Sequence, residues 1–476
     1  MIELSSNISD YIKSVLGEDF LKNYEQFVES KYPITIRLSE VPENHNSLIN
    51  SLANQGIALK RIENIPNAYE VISGEENIGK TIEHTIGKYY IQSLSSMIPP
   101  FILNPTSEDV VLDLCAAPGS KSTQLAELME YEGTLYSNEP NLSRVKALVH
   151  NLDKMNTVNM SVIKEKGELL SKIFPNYFDK ILVDAPCSAL GVVQKKQEVS
   201  NWWSPKSVDV ISSLQLKLLI SAIKMAKVGA EIVYSTCTLT VEENEYIIDK
   251  VLKKYPVKLE PFDLNLPHVN GFTKVGSYNF DESLKLTKRI IPWELKSEGF
   301  FISKLIKTDE TEHIVTKNKF TKQTRSIVSS KDKRIKKYLD ELSIHFGIER
   351  KVFENYKYIV NNKDINFTNS DSLEYDLSFF LRVGTKFGII DKSDTCKLHT
   401  HAAQILGKSA TKNVLKITNE NDLKTYFSGG IFQLDNTQMG QKIVKYEDYF
   451  LGTGVQLENQ FKSQFPRSKR TGSISI

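Results

Sequence analysis

Between about residues 108 and 307 two hydrophobic periods alternate, and this constrains the chain more than any other feature. Apolar runs of strand length recur at 110–114, 134–139, 159–163, 180–184, 231–235 and 299–305. Amphipathic stretches at 122–129, 143–155, 208–227 and 241–254 lie between most of them. A strand followed by a long helix cannot fold back as a hairpin. It crosses over and returns parallel, so the expected fold is a doubly wound, Rossmann-like α/β domain. In such a sheet ligands sit beyond the carboxyl ends of the strands, and chemistry is sought in the loops that leave them.

The flanks have a different grammar. Residues 1–85 mix helical spacing (10–30, 47–55) with short strands (35–38, 58–61, 69–72), which suits a small α+β module. From Lys304 to Lys337 eleven lysines and arginines face four acids. That is either a solvated linker with a charged helix or an arm for a phosphate backbone. The last stretch reads as strand-rich and turn-rich. At roughly 150 residues per domain, 476 residues allow about three domains. The expected division is 1–85, an α/β domain at 86–307, a basic linker with a small subdomain at 308–380, and a β-rich domain at 381–476. The formal charge of +2 advertises no polyanionic partner, so any basic surface must be local. Four cysteines without a Cys-x-x-Cys pair exclude a disulfide scaffold and argue against structural zinc, so no metal is expected. With neither a leader pattern nor a run of about 18 apolar residues, the expected chain is cytoplasmic, with reduced thiols and no membrane partner.

The loop after the first strand reads Cys115, Ala116, Ala117, Pro118, Gly119, Ser120, Lys121. A dinucleotide site would need Gly-x-Gly-x-x-Gly here, so a pyrophosphate is disfavoured, although small residues still let the backbone approach a ligand. Glu139 ends the second strand about 20 residues after Gly119, the spacing at which a carboxylate accepts both ribose hydroxyls. An adenosine ligand without pyrophosphate suggests S-adenosylmethionine. The fourth strand leads into Asp184, Pro186 and Cys187, and the fifth ends at Ser235, Thr236, Cys237. These neighbouring ends should converge on one crevice. A thiolate there suits methylation of a pyrimidine carbon. Its addition to carbon 6 of cytosine makes carbon 5 nucleophilic, an acid such as Asp184 assists at the ring nitrogen, and a second group helps remove the carbon-5 proton. Cys115 is expected to pack beside the loop, and Cys396 to be incidental.

These stretches, with Glu242-Glu243-Asn244-Glu245, Gly299-Phe300-Phe301 and the upstream Gly87-Lys88-Tyr89-Tyr90, resemble the Sun/NOP-type RNA cytosine carbon-5 methyltransferases over about residues 30–306. The resemblance implies an RRM-like N-terminal module. The tail, with Gly452-Thr453-Gly454 and Phe465-Pro466, resembles the PUA-like end of the bacterial 16S ribosomal RNA members. It further implies that Cys115 to Lys121, Glu139 and Asp184 bind S-adenosylmethionine, that Cys237 is the nucleophile, and that Cys187 assists proton removal or release. Lys166 is expected at the adenine end of the cofactor site, where the family places Asp for the amino group; Glu165 beside it is the candidate substitute. The expected partner is RNA, most readily ribosomal RNA or the small subunit, and the protein is expected to act as a monomer. Transfer RNA, or a non-catalytic role in ribosome assembly, are the competing readings.

Overall fold

Val111, Leu182 and Val233 enter one apolar core, while Leu112, Ile181, Val183 and Ile232 enter another. A sheet with two apolar faces must be covered on both, and that requirement generates the central layer of this structure. The computed structural model describes residues 4–39, 44–194, 198–312, 327–369, 377–434, 438–472 and 474. Five parallel strands lie in the order Met160–Ile163, Thr134–Asn138, Val110–Asp113, Phe178–Asp184, Ala226–Thr236, and Phe300–Lys307 adds antiparallel to the last. The helices Leu94–Leu103 and Ser120–Leu128 are buried with the first core; Pro205–Met225 and Glu245–Leu252 cover the second. Pro205–Met225 starts where a serine cap should start it: Ser204 and Ser207 form a reciprocal capping box, with Pro205 in the first turn. Strand order reverses at Val110–Asp113, which opens a crevice between the loops after Asp113 and Asp184. The Rossmann-like expectation holds.

The N-terminal segment divides in two. Gly17, at φ +99°, breaks the expected single helix into Ser6–Val15 and Glu18–Glu29. Both pack with Leu190, Val192 and Trp203 of the central domain. Thr35–Leu38, His45–Asn54, Ala58–Arg61, Ala68–Ser73, Ile82–Thr85 and Tyr89–Ile91 then follow in βαββαβ order, forming an antiparallel sheet that runs second, third, first, fourth. The fourth strand lies beyond residue 85, past the expected module boundary. Buried Arg37 ties this sheet to the central domain through Glu127 (2.6 Å), Thr123 (3.0 Å) and the Ser120 carbonyl (3.1 Å).

Beyond residue 327, one five-stranded sheet runs from Ile327–Ser329 to Cys396–Leu398 and a second from Val414–Ile417 to Gln460–Ser463. The first straddles residue 380, where the sequence reading placed a boundary. Arg382–Val383 goes further and adds antiparallel to Met160–Ile163, closing the edge of the central sheet. Helices Lys333–Phe346, Thr400–Leu406 and Glu420–Ser428 make this region more helical than expected. Of the expected basic arm, Lys317, Lys319, Lys322 and Arg325 lie outside the described residues. Within the helix, Arg334 pairs with Asp332 (2.9 Å) and Lys337 with Asp394 (2.6 Å), so part of that charge is already compensated. Among the described residues no helix is long and apolar enough to cross a membrane, and no acid, His and Cys cluster could hold a metal ion.

Candidate active site

The crevice at the strand reversal opens into a cavity of about 410 Å³. Its walls include Cys115, Ala117, Pro118, Glu139, Asp184, Cys187 and Cys237, each drawn from a loop that leaves the carboxyl end of a strand. That volume lies within the range of small-molecule sites. A smaller cavity of about 200 Å³ sits beneath Arg382 and Lys386 and contains none of these groups.

The loop after Val110–Asp113 crosses into its helix through Gly119 at φ +110°. A side chain there would meet Leu148 at 3.2 Å in a left-handed conformation, so the turn requires glycine. Asn151 donates to the Pro118 carbonyl (2.8 Å) and Arg144 to that of Ala117 (2.7 Å). Glu139 is 1% exposed, and its Oε1 accepts from the Asn141 N–H (2.8 Å) while Oε2 pairs with Arg144 (3.0 Å). A fixed, buried carboxylate with spare lone pairs suits a ribose diol. Beneath the loop, Asp113 accepts from Ser122 (2.6 Å) and its other oxygen is buried without a partner; burial pushes its carboxyl up to about 7.

At the other wall, Cys187 Sγ and Cys237 Sγ are 3.1 Å apart. The neighbouring Cys237 sulfur first, and burial second, hold the Cys187 thiol well above the usual range, so Cys187 keeps its proton at neutral pH. Asp184 pairs with Lys121 Nζ (2.8 Å) and accepts from Ser235 Oγ (2.9 Å); Lys121 also donates to Ser96 (2.9 Å). Burial works against the Lys121 charge, but the Asp184 carboxylate outweighs it and the ammonium's pKa is raised. Burial similarly pushes the Cys115 thiol up, which fits a packing role beside the loop and not a nucleophile.

Buried Glu243 holds the two sulfur-bearing loops in register. It accepts from the Ser188 N–H (2.8 Å) and hydroxyl, from Thr240 Oγ1 (2.7 Å) and from Gln215 Nε2 (2.9 Å), and Gln215 also donates to the Pro186 carbonyl (2.9 Å). Gly191 donates to the Cys237 carbonyl (3.0 Å), where a side chain would lie 2.3 Å from the Gly299 oxygen; only glycine allows these loops to meet.

The structure thus gathers Cys115, Ala117, Pro118, Glu139, Asp184, Cys187 and Cys237 around one cavity, with Lys121 bonded to Asp184 and Ala116, Gly119 and Ser120 shaping the loop behind it. It does not gather Lys166. That side chain is exposed and outside the cavity wall, and the next residues, Gly167 and Glu168, line the wall instead. Sequence reasoning missed Glu168, Arg144 and Ser96. Arg144 was findable as a cation five residues after Glu139 on the next helix; Ser96 carried no signal.

Residues 100–306 match the protein family described as 16S rRNA methyltransferase RsmB/F. The chain is 35% identical over 309 residues to the 26S rRNA (cytosine-C(5))-methyltransferase nsun-1 of Caenorhabditis elegans, covering 63% of this chain and 46% of that protein. It is 30% identical over 464 residues to Ribosomal RNA small subunit methyltransferase F of Vibrio parahaemolyticus, covering 94% of this chain and 93% of that one. A methyltransferase homolog protein from Pyrococcus horikoshii superposes with a TM-score of 0.58 at 28% identity, covering 64% of this chain and 96% of that one. The chain therefore spans under half the length of the worm relative and nearly all of the Vibrio relative.

Proposed function

Because the chain belongs to the RsmB/F family, we propose that it forms 5-methylcytosine in RNA, through a covalent bond between Cys237 and the target base. The observation that carries this reading is the pair of sulfurs 3.1 Å apart beside the Asp184–Lys121 ion pair, on the wall of a nucleoside-sized cavity. S-adenosylmethionine, the cofactor of the family, supplies an electrophilic methyl on a sulfonium. Glu139 would hold its ribose, Pro118 and its neighbours would let the backbone approach it, and Glu168 on the same wall would accept from the adenine amino group.

Cys237 adds through Sγ to carbon 6 of cytosine, and the electron pair of the 5,6 double bond shifts toward carbon 5. As negative charge develops on the ring nitrogen, the Lys121 ammonium would pass a proton to it through Asp184, which Lys121 and Ser235 hold in place. Once carbon 5 is alkylated its proton passes to solvent water, the double bond reforms and Cys237 departs as a thiolate. Cys187 keeps its proton beside Sγ of Cys237, so it can donate a hydrogen bond to the departing sulfur. The target base must leave its stack, at a cost of about a few kcal/mol, less at an unpaired site.

The small ribosomal subunit RNA is the favoured substrate, since the alignment to the Vibrio relative includes the C-terminal sheets. The βαββαβ sheet as an RRM-like module and the last sheet as a PUA-like domain would supply phosphate and shape contacts. Denaturing gels with RNA test the chemistry: Cys187→Ala should accumulate enzyme–RNA adduct and Cys237→Ala should form none. Adduct from Cys237→Ala would reverse the roles. Bisulfite sequencing of ribosomal and transfer RNA from a deletion strain tests the substrate. A site lost from transfer RNA would transfer the assignment there, and no lost site would favour a non-catalytic assembly role.

A further inference from the structure

The helix Leu142–Lys154 begins on the cavity wall and ends in a second concentration of charge. Asp153 is gripped by Arg382 through Nη1 (2.8 Å) and Nη2 (2.5 Å) and accepts from Thr385 (3.1 Å). Lys469, in the turn Arg467–Lys469, places Nζ 3.3 Å from the Asp153 carbonyl and 3.5 Å from His401 Nδ1. The other nitrogen of His401 is 3.9 Å from the Asp153 carboxylate, and the His399 ring lies 4.9 Å from that of His401. On the opposite side Lys154 Nζ is 2.7 Å from His84 Nε2, while His84 Nδ1 lies 3.0 Å from the Gly79 carbonyl. With Nδ1 donating to that carbonyl, Nε2 accepts from the lysine. His150 feels both lysines. The N-terminal sheet, the central helix and the C-terminal region therefore meet at one half-buried, cation-rich junction.

Arg382 already compensates Asp153, and two ammonium groups remain. Burial pushes Lys154 down to about 8, and burial pushes Lys469 down to about 7 although Asp153 pulls the other way. Burial, then the neighbouring cations, lower His84 and His399 to about 4 and lower His150 and His401 as well. The cations repel one another and the imidazoles resist protonation, so the junction is short of negative charge. The imidazoles of His84, His399 and His401 are spent on Lys154, Lys469, Asp153 and backbone groups, so the two ammonium groups are the donors that suit a phosphate oxyanion. The same helix carries Arg144 and Asn151, which bind the carbonyls of Ala117 and Pro118, so the junction flanks the cleft.

We infer that this three-way junction is a phosphate-binding site that grips the backbone of an RNA whose target nucleotide occupies the cleft. The inference rests on the RNA reading above. The test uses the full-length protein with Lys154→Gln, Lys469→Gln and the double variant. Binding of a fluorescein-labelled 16S ribosomal RNA fragment is followed by anisotropy from about 50 to 300 mM salt, beside methyl transfer at saturating RNA. The double variant should bind roughly 10-fold more weakly, with a salt slope shallower by about 0.7 to 2, because one or two phosphate contacts are lost. Transfer at saturation should be unchanged, and the Lys154→Arg, Lys469→Arg variant should retain affinity. Thermal melting confirms folding of each variant. An unchanged affinity and salt slope in the folded double variant would overturn the inference. So would stabilisation of the wild type by inorganic phosphate with no effect of the variants on RNA, which marks a free-anion site. If the wild type neither binds nor methylates RNA, the functional reading fails, and that result is distinct from the other two.

Discussion

Replacing Glu243 by Gln turns one of its two acceptor oxygens into a donor where Ser188, Thr240 and Gln215 all point donors. The loops that carry the two sulfurs would lose their shared anchor, while Glu139 and the loop after Asp113 stay untouched. The expected outcome is a rate of adduct formation lower by about 10- to 100-fold, with S-adenosylmethionine affinity within about twofold of wild type by calorimetry. The fold should lose roughly 1–3 kcal/mol, read from denaturant midpoints, for the mismatched buried polar group. An unchanged adduct rate would mean that the sulfurs hold their register without Glu243. At this scale the sequence was informative wherever a residue sits directly at a strand end. Asp184, Cys187, Cys237 and Glu139 arrive on one cavity because strand ends of a parallel sheet must. Lys166 did not follow: it sits past the strand end, where one residue of loop geometry decides which side chain faces inward, and spacing cannot supply that.

Among the elements, the helix Glu245–Leu252 presents a buried Glu245 to Arg289, at 2.6 and 2.5 Å, and Arg289 also donates to the Leu239 carbonyl (3.0 Å), two residues past Cys237. Removing one member strands a charge in the core. Arg289→Met should cost about 3–5 kcal/mol in urea unfolding, and the double change Glu245→Met, Arg289→Met less than the single one. Equal losses would show that solvent reaches the pair. The strands and helices of the central layer were legible because their apolar periods are long. The split at Gly17 was not, since apolar spacing continues across it and only the backbone reveals the left-handed turn. Helices of the C-terminal region hid for the opposite reason: Thr400–Leu406 spans only seven residues, too few to display a period.

For the whole molecule, the telling contact is Arg382–Val383 on the edge of Met160–Ile163. A chain ending after residue 312 would leave that edge strand unpaired and Asp153 without Arg382. It should melt several degrees lower and aggregate in sedimentation, although the cavity residues are all retained. A monodisperse truncated protein with wild-type melting would show the edge strand to be dispensable. No local pattern announces this pairing, because two residues contribute no period and the partners lie more than two hundred positions apart.

That distance has a consequence during synthesis. The edge at Met160–Ile163 leaves the ribosome long before Arg382, and at about 5–20 residues per second the wait lasts roughly ten to forty seconds. Throughout it the nascent sheet shows an open backbone to every other chain nearby. A chaperone that shields strand edges, or slow codons placed to pause the ribosome elsewhere than in this window, should therefore raise the yield of soluble protein without any change to its finished core.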